Sequence, residues 1–149
     1  MKILVPVDGS AHSLKALEVA ADIAKTRQAE IYVISVTASI GGMEDHEISP
    51  YRRERHEEIL QEFADKAIRT AREVLGAQKV NVKFSQISTA VSVPDAIIDF
   101  AEAEKIDLIV IGSRGLSVSS RFKMGSIANQ VVKYSPCSVY LVKIPALQG

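Results

Sequence analysis

Short, β-branched apolar runs alternate along this chain with longer segments whose apolar residues return every three or four positions. Ile3-Leu4-Val5-Pro6-Val7, Ile31-Tyr32-Val33-Ile34-Ser35-Val36, Ile106-Asp107-Leu108-Ile109-Val110-Ile111 and Cys137-Ser138-Val139-Tyr140-Leu141-Val142 are runs of strand length. Near-continuous apolar runs of this kind read as strands covered on both faces. Lys79 to Ile87 differs, because Val80, Val82 and Phe84 alternate with Asn81, Lys83 and Ser85. That is a half-buried strand, suited to an outer place in a sheet.

Helical periodicity fills the gaps. Leu14, Leu17, Ala20, Ala21 and Ala24 fall on one stripe, with Lys15, Glu18, Asp22 and Lys25 facing out. Ser10 stands where an N-cap belongs. From Arg52 to about Leu75, residues Ile59, Phe63, Ala67, Ala71 and Leu75 recur at four-residue steps beside Leu60, Ala64 and Ile68, and Gly76 is a natural stop. Ser92-Val93-Pro94-Asp95 reads as a capping box with proline in the first turn, ahead of Ala96, Ile97, Phe100 and Ala101. A last helix runs over Ile127–Val132 to Tyr134, and Ser135-Pro136 ends it.

Alternating strands and helices call for right-handed crossovers and a parallel sheet. The expected fold is α/β: one doubly wound domain over residues 1–149, with five parallel strands in the order 3-2-1-4-5 and helices on both faces. Pro6 lacks an N–H and belongs near the end of its strand. Thr37 to about Tyr51, with Gly41-Gly42 and Ser49-Pro50, reads as a loop near the length at which loops tend to be functional or disordered. No linker or internal repeat divides the chain.

Composition narrows the possible functions. Hydrophobic residues make up 47% of the 149 residues while Trp is absent, so the core is expected to be Val, Ile, Leu and Ala. Eighteen acidic and eighteen basic residues balance, which argues against a nucleic-acid surface. Cys137 is the single cysteine, so no intrachain disulfide forms. Met1 leads directly into a core strand, and no apolar run approaches the roughly 18 to 20 residues needed to cross a bilayer. The expectation is a cytoplasmic protein without signal peptide or membrane partner.

The candidate chemistry sits at Ile111-Gly112-Ser113-Arg114-Gly115 and, after an intervening loop, Gly125-Ser126. Here a buried strand ends and a helix begins, the edge where open parallel sheets bind ligands. Glycines allow backbone N–H groups to converge on a phosphate, and Ser126 adds a hydroxyl at the positive end of the last helix. Walker spacing is absent, and Gly-x-Gly-x-x-Gly does not follow the first strand, which counts against a P-loop motor and a dinucleotide dehydrogenase. Asp8, across the switch point, is suited both to accept from an adenine amino group or ribose hydroxyl and to set a turn ahead of the first helix. Arg114 is apt for phosphate, and equally suited to a solvated loop. Ser117, Ser119, Ser120, Arg121 and Lys123 lie on the intervening loop.

Other reactive side chains show less pattern. His12, His46 and His56 have no metal-ligand spacing with one another or with Cys137, and no nucleophile–base pair stands out. No metal site and no catalytic residue are assigned. Glu54, Glu57, Glu58 and Glu62 with Arg52, Arg53 and Arg55 read as a solvated helix face. Val139-Tyr140-Leu141-Val142 is an apolar edge that invites pairing with another chain.

Gly-x2-Gly-x9-Gly-Ser, together with the opening Met1-Lys2-Ile3-Leu4-Val5-Pro6-Val7-Asp8-Gly9-Ser10, resembles the universal stress protein family, specifically its ATP-binding subgroup. The resemblance runs from Lys2 to Lys143 and implies a fold similar to the adenine nucleotide alpha hydrolases. It places an adenine and ribose pocket on Pro6, Val7, Asp8 and Val36, with Ile111 against base or sugar. Phosphates would fall to Gly112, Ser113, Arg114, Gly115, Gly125, Ser126 and Ile127. The implied ligand is ATP, with Mg2+ held through the phosphates, or else AMP or ADP. The implied function is a nucleotide-dependent switch or sensor in stress response, with slow hydrolysis at most, an unknown protein partner and a homodimer formed through the last strand. The alternatives are a nucleotide-independent dimeric scaffold and, with least support, a small hydrolase or transferase. Ala90-Val91-Ser92-Val93 and Cys137-Ser138 depart from the family's common pattern away from the phosphate loop.

Overall fold

The computed structural model describes residues 1–38, 50–114 and 124–144. Strands and helices alternate as β1 (Lys2–Pro6), α1 (Ala11–Arg27), β2 (Glu30–Ala38), α2 (Pro50–Gly76), β3 (Asn81–Thr89), α3 (Val93–Ala103), β4 (Leu108–Gly112), α4 (Ser126–Tyr134) and β5 (Ser138–Val142). One five-stranded sheet has the order β3-β2-β1-β4-β5, and all four strand pairs are parallel. The half-buried alternation of β3 places it at one edge, and β5 forms the other.

Local chemistry explains where the elements start and stop. The Ser13 backbone N–H donates to Ser10 Oγ at 3.2 Å, which caps α1. Gln28 closes the helix in the left-handed region with its N–H on Ala24 O. At α3, Ser92 Oγ accepts from Asp95 N at 3.2 Å and meets the Asp95 carboxylate at 2.6 Å, with Pro94 in the first turn. Pro6 is the last residue of β1, where its missing N–H costs no ladder bond.

Side chains alternate across each strand, so the sheet feeds two cores. Ile3, Val5, Val7, Ile31, Val33 and Val110 pack with Leu17, Ala20, Ala24, Ala67 and Ala71 under α1 and α2. Leu4, Ile34, Ile109 and Ile111 pack with Ile97, Ala101, Ala128 and Val131 under α3 and α4. Most of these side chains are wholly removed from water, each buried Val, Leu or Ile contributing about 1.5–3 kcal/mol.

Both ends of the loop expected over residues 37–51 differ from the sequence reading. Thr37 and Ala38 continue β2, paired with Ser88 and Thr89, while Pro50 and Tyr51 already belong to α2. The rest of the expected loop, residues 39–49 with His46, lies outside the described residues. The stripe on α2 also divides. Ala64, Ala67, Ile68, Ala71 and Leu75 are buried, but Ile59 and Phe63 are 40% and 54% exposed. Gln61 reaches Gln86 near the carboxyl end of β3, so the turns of α2 ahead of it, Ile59 included, have little sheet left to cover, while Phe63 turns to solvent just beyond.

Candidate functional site

β1 is flanked by β2 on one side and β4 on the other, and the chain crosses from the α1/α2 face to the α3/α4 face between them. The connections leaving β1 and β4 therefore diverge and open a crevice at the carboxyl edge of the sheet. A cleft of about 680 Å³ lies there, within the size range of small-molecule sites.

Most of the expected site residues meet in this cleft. Pro6, Val7 and Asp8 come from the end of β1, Val36 from β2, and Ile111, Gly112 and Arg114 from the end of β4. Gly125, Ser126 and Ile127 come from the start of α4. Ser113 is different. It is buried, its N–H donates to Val142 O at 2.8 Å, and its carbonyl accepts from Gly125 N at 2.7 Å. It braces the start of α4 against β5 and is absent from the cleft wall. Gly115 and the loop residues Ser117, Ser119, Ser120, Arg121 and Lys123 lie outside the described residues.

The cleft also recruits Ser13, Val93, Ile97, Met124, Ala128 and Asn129. Val93 and Ile97 sit one turn apart on α3; sequence periodicity assigned Ile97 to the core and read Val93 only as part of the capping box. Their spacing was a usable signal, since both begin the helix at the carboxyl edge. Ser13 is three residues beyond Ser10 and Asn129 three beyond Ser126, so each lies one turn further along a helix already at the cleft.

The first turn of α1 organises Asp8. Gly9 has φ +84°, a left-handed conformation that glycine accepts freely. This turn returns the Ser10 N–H to Asp8 Oδ1 at 2.9 Å. The turn-setting role expected of Asp8 is therefore present. The other carboxylate oxygen has no hydrogen bond among the described residues and remains an acceptor at the cleft.

Helix α4 supplies the opposite chemistry. Gly125 is its N-cap, at φ −57° and ψ 148°, and provides no side-chain hydrogen bond to the first turn. The first N–H groups of a helix have no intrahelical partner, and the dipole adds positive potential there. An anion at this end would meet those N–H groups and the Ser126 hydroxyl. Val36, Val93, Ile97 and Ile111 give the cleft apolar walls. The donor set thus fits a phosphate, and the walls fit a flat apolar ring.

A second, open depression of about 500 Å³ at the amino edge is rimmed by Lys25, Gln28, Gln78 and Lys79. Lys25 is bonded to Gln78 Oε1 and stands in the last turn of α1, where a cation offsets the helix dipole. That accounts for the charge without a ligand.

Fold and cleft together define a doubly wound α/β protein with a crevice at its switch point, lined by the start of α4 and by the Asp8 carboxylate. The chain belongs to the universal stress protein family, whose sequence profile matches residues 1–143. It is similar to universal stress protein MJ0531 of Methanocaldococcus jannaschii, 33% identical across 97% of this chain and 82% of that one. The solved structure of UspA from Lactobacillus plantarum superposes with a TM-score of 0.79 at 28% identity, covering 95% of this chain and 97% of that one. The universal stress protein of Archaeoglobus fulgidus, solved in complex with dAMP, shares the fold with a TM-score of 0.71 at 24% identity over 96% and 98% of the two chains. A universal stress protein solved with cAMP does so with a TM-score of 0.69 at 23% identity over 95% and 96%.

Proposed function

We propose that this chain binds an adenine nucleotide in the switch-point cleft and acts as a nucleotide-dependent switch or sensor, with ATP as the ligand and ADP or AMP as alternatives. The first turn of α4, which receives no side-chain hydrogen bond from its Gly125 N-cap and lines the cleft with Ser126, carries the proposal. The phosphates take those N–H groups, the adenine lies between Val36 and Ile111, and Asp8 accepts from ribose or base. Arg114 adds a guanidinium at the phosphate end. Relatives of the same fold that hold dAMP and cAMP support an adenine ligand. Mg2+ enters bound to the phosphates. Among the described residues no cluster of three or more His, Cys, Asp or Glu offers it a cage.

Hydrolysis is slow in this reading. Asp8 is the one carboxylate among the described cleft residues, and its Oδ1 is already held by Ser10. Nothing else there is a base poised to activate water.

Gly125→Asp provides the test. Gly125 has an ordinary backbone conformation that Asp also adopts, and Asp is a favoured N-cap, so the variant is expected to keep the fold, which urea unfolding checks. Its carboxylate occupies the N–H groups and repels phosphate. Calorimetry is expected to show ATP binding by the parent, lost or weakened at least tenfold in Gly125→Asp. Equal ATP affinity in both chains would remove the phosphate assignment. No release of adenine nucleotide on denaturation, together with no ATP binding by the parent, would remove the nucleotide reading.

A nucleotide-independent dimeric scaffold is the second reading. Among the described residues no strand pairs with the outer edge of β5, and Tyr140 on it is 47% exposed. An apolar open edge favours strand pairing with a second copy.

A further inference from the structure

We infer that Ser13 is the positioning residue that holds Asp8 ready for its ligand, an inference that rests on the nucleotide reading above. Ser13 stands in the first turn of α1, is buried to 5% exposure and lines the cleft. Its hydroxyl donates to the Ser10 carbonyl at 3.0 Å and stands 3.5 Å from the Asp8 N–H as acceptor. Its own backbone N–H donates to Ser10 Oγ at 3.2 Å. Ser10 in turn donates its N–H to Asp8 Oδ1 at 2.9 Å. Asp8 is thus gripped at its main-chain N–H and at one carboxylate oxygen. The hydrogen bonds that do so close on Ser13.

The hydroxyl of Ser13 has one proton, and the Ser10 carbonyl takes it. Toward a ligand the side chain offers no donor, and one of its two lone pairs is taken by the Asp8 N–H. Its effect on binding therefore passes through Asp8. Without the hydroxyl, the Asp8 N–H loses its acceptor and the turn through Gly9 is held by Ser10 alone. The free carboxylate oxygen then samples more orientations, and a ligand must order it on binding.

Calorimetric titrations of the full chain with ATP and with inorganic tripolyphosphate test this. Ser13→Ala is expected to weaken ATP binding about three- to tenfold, the worth of one hydrogen bond. Tripolyphosphate, held at α4, keeps its affinity, and Ser13→Thr, which retains the hydroxyl, recovers most of the loss for ATP. In an Asp8→Ala background, where no carboxylate is left to position, Ser13→Ala adds no further loss. Losses that multiply in the double variant, a Ser13→Ala chain that binds ATP like the parent, or an equal loss for tripolyphosphate would each overturn the role of Ser13 while the parent still binds ATP. A parent that binds no ATP would remove the nucleotide reading itself and this inference with it.

Discussion

Gly112 at the end of β4 packs so close to His12 in the first turn of α1 that no side chain fits between them. A Cβ on Gly112 would lie 2.7 Å from His12 Cβ, 2.9 Å from its carbonyl carbon and 3.1 Å from its carbonyl oxygen. Gly112 has no left-handed backbone angle; among the described glycines that belongs to Gly9. Close packing therefore requires glycine here whatever the cleft holds. The same contact seats the first turn of α1 against β4 and so helps place Asp8 and Ser13 at the cleft floor.

Gly112→Ala is expected to destabilise the protein by about 1–3 kcal/mol, the usual cost of overpacking. His12→Ala should not rescue it, because the clashing Cβ and carbonyl atoms remain in alanine. Urea unfolding of the single and double variants measures both effects. An unchanged midpoint in Gly112→Ala, or full recovery with His12→Ala, would contradict the packing account. Because stability is at stake, loss of ligand in a Gly112 variant says little about phosphate contact, and Gly125 is the better probe.

Two apolar residues on α2 should behave differently despite similar periodicity. Ile68 is 6% exposed and Phe63 54%. Ile68→Ala opens a cavity and is expected to cost about 2–5 kcal/mol, whereas Phe63→Ser should cost no more than about 1 kcal/mol. Equal costs by chemical unfolding would mean that Phe63 is covered in solution.

A pH effect is expected where α2 meets the edge strand. Gln86 Nε2 and Gln61 Nε2 donate to Asp65 Oδ1 at 2.9 and 3.0 Å. These bonds, Gln86 first, with Arg69 nearby, hold the Asp65 carboxyl below the usual aspartate value. Its folded pKa is thus lower than its unfolded one. The contribution to stability is complete above the unfolded value and is lost as pH falls through the folded one. An NMR titration of the Asp65 carboxyl should give a low pKa that rises in Gln86→Ala. No rise would show that Gln86 does not govern it.

Assembly can be read at Tyr140. Tyr140→Asp places a charge on the open edge of β5 and is expected to convert a dimer to a monomer by light scattering. If the parent is a dimer and the variant remains one at micromolar concentration, the interface lies elsewhere.

The sequence alone carried the alternation of strands and helices, the edge place of β3, the caps at Ser10 and Ser92, and the gathering of Asp8, Gly112, Gly125 and Ser126 at one edge. These follow from short-range rules: side-chain period, hydroxyls before helices, and glycines where a strand turns into a helix. They act within a few residues of chain and so can be read along it.

Tertiary structure alone decided which apolar residues face protein and which face the cleft or solvent. Ile97 reads as core and is also cleft wall, Phe63 reads as core and lies open, and Ser113 reads as a contact and is a brace. An apolar side chain carries no label for what covers it; that depends on where a neighbouring element ends. Gly112 shows the limit most clearly. Its pattern suggested a phosphate loop, but the atoms that demand glycine belong to His12, brought beside it by the order of the strands in the sheet.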